Sequence, residues 1–242
     1  NNFKGTGGGT ILVSNSGMTG FIKKYTIENG RRTELEIASD GTIYALAAAN
    51  PVTIIKSSDG FSSTPTIITL PSDADGNIDD DDFTRGQSFY DLLIESDPNN
   101  PNTVFAGGID LFKSTTGAVN SAGGNPWNQL SHWYAGFGQP YAHADQHGAA
   151  FGNFDSSKKI IGNDGGVYFS KTQVDGSEII ASRNNNYVTS QFYTIGVAPS
   201  EMFKDSTEIV SGRDSSTRLQ NTITISGMTD VFVGGLQDNG TQ

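Results

Sequence analysis

Three stretches of the sequence carry residue types that can do chemistry. The first is His143-Ala144-Asp145-Gln146-His147, where two imidazoles and a carboxylate alternate. On a strand this spacing puts all three on one face, as a metal site or an acid/base cluster requires. Yet residues two apart on a strand are separated by about 7 Å, at a rise of about 3.3 Å per residue, too far for three to reach one ion without a bend. The expectation is therefore structural: Asp145 accepts hydrogen bonds near the turn that holds Asp164, and the histidines brace an inner surface.

The second stretch is SDADGNIDDDDF, Ser72 to Phe83, in which Asp73, Asp75, Asn77, Asp79 and Asp81 alternate. Oxygen ligands at every second position wrap hard cations, so these five are candidate calcium ligands. The stretch is not an EF-hand, because Gly76 directly follows Asp75 and no glutamate closes the loop. A solvated acidic loop is the alternative. The third stretch holds both tryptophans, at Trp127 and Trp133, followed by Tyr134, Phe137 and Tyr141. Trp133, Tyr134, Phe137 and Tyr141 are candidate ligand-binding residues, able to stack on sugar rings from a loop. Packing of Trp127 and Trp133 between structural units is the competing expectation.

These residues are set in a repeating framework. Val52–Gly60 reads VTIIKSSDG and Ile109–Gly117 reads IDLFKSTTG, so Lys56-Ser57 recurs 57 residues later as Lys113-Ser114. GGVYFSKTQ then places Ser170 another 56 residues on. A near-constant period means stacked supersecondary units. Each unit runs apolar strand, polar turn, small-residue strand, turn and a strand ending in the serine. Four short strands per period fit the blades of a β-propeller, whereas a sandwich has no reason to repeat. The expected class is all-β, a propeller of four-stranded antiparallel blades and a fragment of a larger one. Residues 1–30 would end a preceding blade, 32–71 form a blade, 72–85 an acidic insert, 86–133 and 141–184 two further blades, and 190–242 a partial blade with an insert at 200–229.

Composition narrows the function. The chain has 242 residues, a formal net charge of -11, 30 glycines and no cysteine. Nucleic acid is an unsuitable partner for so acidic a chain. Disulfides and cysteine-ligated zinc are excluded. No apolar run reaches the length of a membrane span. Low charge density with abundant Gly, Thr and Asn favours an exported protein. A sialidase needs three converging arginines, and the six here (Arg31, Arg32, Arg85, Arg183, Arg213, Arg218) show no matching blade positions. A glycosidase needs two carboxylates across a cleft. Asp145, Asp164 and Asp238 are available, but Asp164 and Asp238 occupy equivalent turns, GND-GG and LQD-NG, which favours a turn role.

Ser57-Ser58-Asp59-Gly60 resembles the first half of the Asp-box repeat, Ser-x-Asp-x-Gly-x-x-Trp, with Phe61, Thr116 and the late Trp127 as departures. HADQHGAAF, GNDGGVYFS, VTSQFYTIGVAP and GGLQDNGTQ, in this order, are similar to the propellers of Asp-box and sortilin-like surface proteins of Bacteroidetes. Those propellers are in turn distantly similar to xyloglucan-cleaving glycoside hydrolases. The resemblance implies secretion, often by the type IX machinery with a sorting domain beyond Gln242, and an extracellular or cell-surface location. Its implied function is a non-catalytic binding or scaffold module, with polysaccharide or surface protein as partner; a xyloglucanase-like hydrolase is the alternative. No cofactor is implied beyond the calcium suggested by the acidic stretch.

Overall fold

The computed structural model describes residues 8–14, 17–73, 75, 82–120, 123–136, 138–153 and 155–186, and the backbone of 192–198, 231–236 and 240–241. The chain divides into two compact units, Asn1–Asn186 and Tyr187–Gln242. The first opens with a hairpin, β1 (Thr10–Val13) and β2 (Ile22–Thr26). Three four-stranded antiparallel sheets follow. One holds β3 (Thr33–Ile37), β4 (Ile43–Ala47), β5 (Thr53–Ser57) and β6 (Thr66–Ile68). The next holds β7 (Leu93–Asp97), β8 (Asn100–Gly107), β9 (Leu111–Ser114) and β10 (Asn128–Gln129). The last holds β11 (Gln146–Gly152), β12 (Asp155–Asn163), β13 (Gly166–Thr172) and β14 (Glu178–Ser182). The second unit contains one three-stranded sheet, β15 (Phe192–Ala198), β16 (Val231–Leu236) and β17 (Gly240–Thr241).

In every four-stranded sheet the strands are hydrogen-bonded in chain order, and the first strands β3, β7 and β11 lie side by side. That is the arrangement of propeller blades, with the first strand of each innermost. Side-chain alternation explains the stacking. Tyr44 and Leu46 of β4 enter the core shared with the second blade, while Ala45 and Ala47 enter the core beneath the β1–β2 hairpin. On β8, Val104 and Ala106 face the first blade and Phe105 the third. Central strands are thus apolar on both faces, as sheets covered on both sides must be. Trp127 lies in the core between the first and second blades, and its Nε1 donates to the Thr69 carbonyl at 2.7 Å. Among the described residues, no helix is long and apolar enough to cross a membrane.

The recurring serine has a physical reason. Ser57, Ser114 and Ser170 are buried on the third strands of their blades. Ser57 Oγ accepts the Phe61 N–H at 2.8 Å, and Ser114 Oγ accepts the Ala118 N–H at 3.1 Å. Both turns need two successive left-handed residues, Gly60-Phe61 at φ 65° and 62° and Gly117-Ala118 at φ 65° and 57°. Glycine takes the first of these without strain, and the serine hydroxyl satisfies the second residue's buried N–H. Asp59 adds acceptors for the N–H groups of Ser62 and Ser63, which Thr116 cannot match. Ser170 departs from the pattern and donates to the buried Glu178 instead. Ser114→Ala should therefore cost about 1–2 kcal/mol in urea unfolding, the penalty for an orphaned buried N–H. A loss below a few tenths of that would remove the turn from the stabilising elements.

Candidate functional site

Register fixes which loops meet. The first residues of β3, β7 and β11 pair with the ends of the second strands (Thr33 with Ala47, Leu93 with Gly107, Gln146 with Asn163). The blade-to-blade connections and the turns between second and third strands therefore gather at one end of the blade stack. Segments 69–92 and 130–145 are such connections, and Gly107–Leu111 and Asn163–Gly166 such turns. Of the candidate residues that are described, Asp73, Asp75, Trp133, Tyr134, Tyr141, His143 and Asp145 fall there.

Asp75 is the hub of the first cluster. Its carboxylate accepts from Arg85, from His132 Nε2 at 2.8 Å, from Trp133 Nε1 at 3.2 Å and from Tyr134 OH at 3.2 Å. Burial works to raise its pKa, but the bonds from His132, Trp133 and Arg85 outweigh burial and hold it at about 2. Arg85 also donates to Asp73 at 2.9 Å, so one guanidinium balances both carboxylates. The same guanidinium lies 5.6 Å from the Trp133 ring centre, and Tyr134 meets that ring edge-on at 4.4 Å. His132 is fully buried and also bonded to the Tyr134 carbonyl at 2.9 Å. Beside it, burial pushes Asp110 up to about 7, with Asp73 and Asp75 adding to the rise and His132 opposing it. Gln129 and Ser131 bond Asp110.

This framework fixes the aromatics in place while leaving them wet. Trp133 keeps 39% of its surface in solvent and Tyr134 36%. Of the two tryptophans only Trp127 packs between blades; the expectation that Trp133 does so is corrected, because Trp133 lies outside that core with its indole N–H bonded to Asp75. Tyr141, 46% exposed, lies at the other end of the same connection, bridged to His132 and edge-on to Tyr168 at 6.3 Å. Phe137 lies outside the described residues, as do Asn77, Asp79, Asp81 and Asp238.

The second cluster surrounds Asp164 in the Asn163–Gly166 turn. Tyr90 OH donates to its carboxylate at 2.9 Å and His147 Nε2 lies 2.6 Å from it, with the Tyr90 and His147 rings edge-on at 4.9 Å. His143, Asp145 and His147 do not share a strand face. β11 begins only at Gln146, and Asp145 has φ 66°, which rotates the chain and ends the alternation that the spacing suggests. His143 packs against Gly165, where an added Cβ would come within 2.3 Å of the imidazole-bearing carbon. Gln146, fully buried, ties the blades together by donating to the Ile109 carbonyl at 3.1 Å. Asp91, just before β7, is also fully buried, and burial followed by repulsion from Asp145 pushes it up to about 8.

Arg85, Tyr90, Asp91 and Asp110 were not singled out by the sequence. Arg85 could have been, as the one cation at the edge of the acidic stretch; the other three carry no motif.

No family model matches the chain, and no curated protein gives a significant match. Among solved structures it is similar to the crystal structure of the Niastella koreensis GH74 enzyme, at 22% identity and a TM-score of 0.39, covering 64% of this chain and 23% of that one. It is also similar to YCF48 bound to D1 peptide, at 12% identity and a TM-score of 0.36, covering 77% of this chain and 65% of that one. The chain thus spans less than two thirds of either protein. The propeller architecture stands on the sheets themselves.

Proposed function

We propose that the end of the blade stack carrying residues 69–92 and 130–145 is a binding surface for a glycan. On this reading the protein is a non-catalytic recognition module of a secreted or cell-surface bacterial protein. The observation that carries the reading is Trp133: a half-exposed indole held by Asp75, Arg85 and Tyr134 rather than left to rotate. Such a ring offers a flat apolar face to sugar C–H groups at little cost in conformational entropy. The surrounding Asp75, Arg85 and Tyr134 are suited to sugar hydroxyls.

Isothermal titration against a panel of plant and algal oligosaccharides tests the reading. At least one should bind, and Trp133→Ala should weaken it at least about tenfold while shifting the melting temperature by only a degree or two. Binding unaffected by Trp133→Ala would place the ligand elsewhere. Release of reducing ends from the panel would replace recognition with hydrolysis.

A further inference from the structure

The buried carboxylate of Asp91 has no assigned purpose in glycan recognition. Its side chain is fully buried, and neither of its oxygens has a hydrogen-bond partner. Ionised, such a carboxylate needs a positive charge beside it; protonated, it still leaves a buried hydroxyl without an acceptor.

Among the described residues no cation is bonded to the Asp91 carboxylate. Arg32 stands close, but its N–H groups go to the carbonyls of Tyr90 and Leu92, on either side of Asp91, and to Glu34 at 2.8 Å. His147 is committed to Asp164, and Arg85 to Asp73 and Asp75. Of the charged groups that act on Asp91, Asp145 and Asp164 add negative charge and Arg32 opposes them. Asp145 immediately precedes β11, Asp91 stands two residues before β7, and these strands are neighbours.

We propose that a hard divalent cation of the calcium class binds at the entry ends of β7 and β11, with Asp91 and Asp145 as its anionic ligands. Calcium accepts six to eight oxygen ligands at flexible geometry, so main-chain carbonyls and water complete the shell. Among the described residues no three acidic or imidazole side chains converge on one point. A zinc-type site would call on imidazole or thiolate, and the chain has no cysteine. Asp91 is fully buried and Asp145 half-buried, so a single ion suits the position better than a ligand side chain or sugar. Neither ligand belongs to the alternating acidic stretch at 73–81.

The test is thermal unfolding of the intact chain after EDTA treatment and desalting, with and without calcium chloride. Calcium should raise the melting temperature by about 5 °C or more at saturation. Asp91→Asn should lose that rise yet melt no lower than the metal-free wild type, because it removes an unpaired buried carboxylate. Asp145→Asn should weaken calcium binding measured by titration at least about tenfold. A double change of Asp79→Asn and Asp81→Asn should keep the full response. No rise in the wild type, or a rise that survives Asp91→Asn, would overturn the proposal; a response lost only in the Asp79/Asp81 variant would assign calcium to the acidic stretch instead.

Discussion

Replacing Asp75 by alanine is expected to lower stability by about 2–4 kcal/mol and to abolish glycan binding together. The single carboxylate accepts from Arg85, His132, Trp133 and Tyr134, so its loss leaves the fully buried His132 Nε2 without a partner and frees the Trp133 indole to turn. Arg85 retains Asp73, which limits the damage on that side. The pH dependence has a definite sign. The folded-state pKa of Asp75, about 2, lies below its ordinary 3.8, so its stabilising contribution is complete above pH 4 and fades as pH falls towards 2. The stability gap between wild type and Asp75→Ala, measured in urea at pH 6, should therefore shrink by pH 2.5. A gap that widens on acidification would show that the His132 and Arg85 contacts do not depend on the ionised carboxylate.

Glu178→Ala, on the last strand of its blade, should be at least as damaging, on the order of 3–5 kcal/mol. Glu178 meets Lys159 Nζ at 2.7 Å with each side chain only 1% exposed, accepts from Thr172 at 2.9 Å and from Ser170, and has Lys113 at 3.9 Å. Both ammonium groups sit over the Phe105 ring, at 5.1 and 5.7 Å. Removing the carboxylate leaves a buried ammonium with no counter-charge among the described residues, hydrogen-bonded only to the Ser157 carbonyl and the Thr172 hydroxyl. The triple change Lys159→Met, Glu178→Leu and Lys113→Met removes all three charges and should recover most of the loss, within about 2 kcal/mol of wild type by thermal or urea unfolding. Equal damage from the single and triple changes would mean that shape, not charge, governs this site. Glycan affinity should be unchanged in the triple variant.

The blades were legible because their signals are local. Alternation in Ile43–Ala47 and the Lys-Ser repeat at 56–57 and 113–114 reflect contacts within one hairpin or turn, so the sequence window contains the whole cause. The site was less legible because its contacts cross blades. Asp75 reaches His132 over 57 positions and Tyr90 reaches Asp164 over 74, distances at which no spacing rule applies. The His143-Asp145-His147 alternation misled for a different reason. Aspartate tolerates the left-handed conformation, and a single such residue at Asp145 breaks the two-residue period without leaving a mark in the residue types. The acidic stretch suggests a cation loop or a solvated loop equally well by spacing, and two of its members, Asp73 and Asp75, are balanced by Arg85.

The most direct measurement of the binding surface uses Trp133 itself. In a Trp127→Phe variant it is the one remaining indole, so fluorescence reports on that ring alone. Titration with the oligosaccharide panel should give a saturable blue shift for at least one glycan as its sugar ring displaces water from the indole face. Emission that no glycan alters, from a variant that unfolds cooperatively and is therefore folded, would contradict the assignment of this surface to glycan recognition.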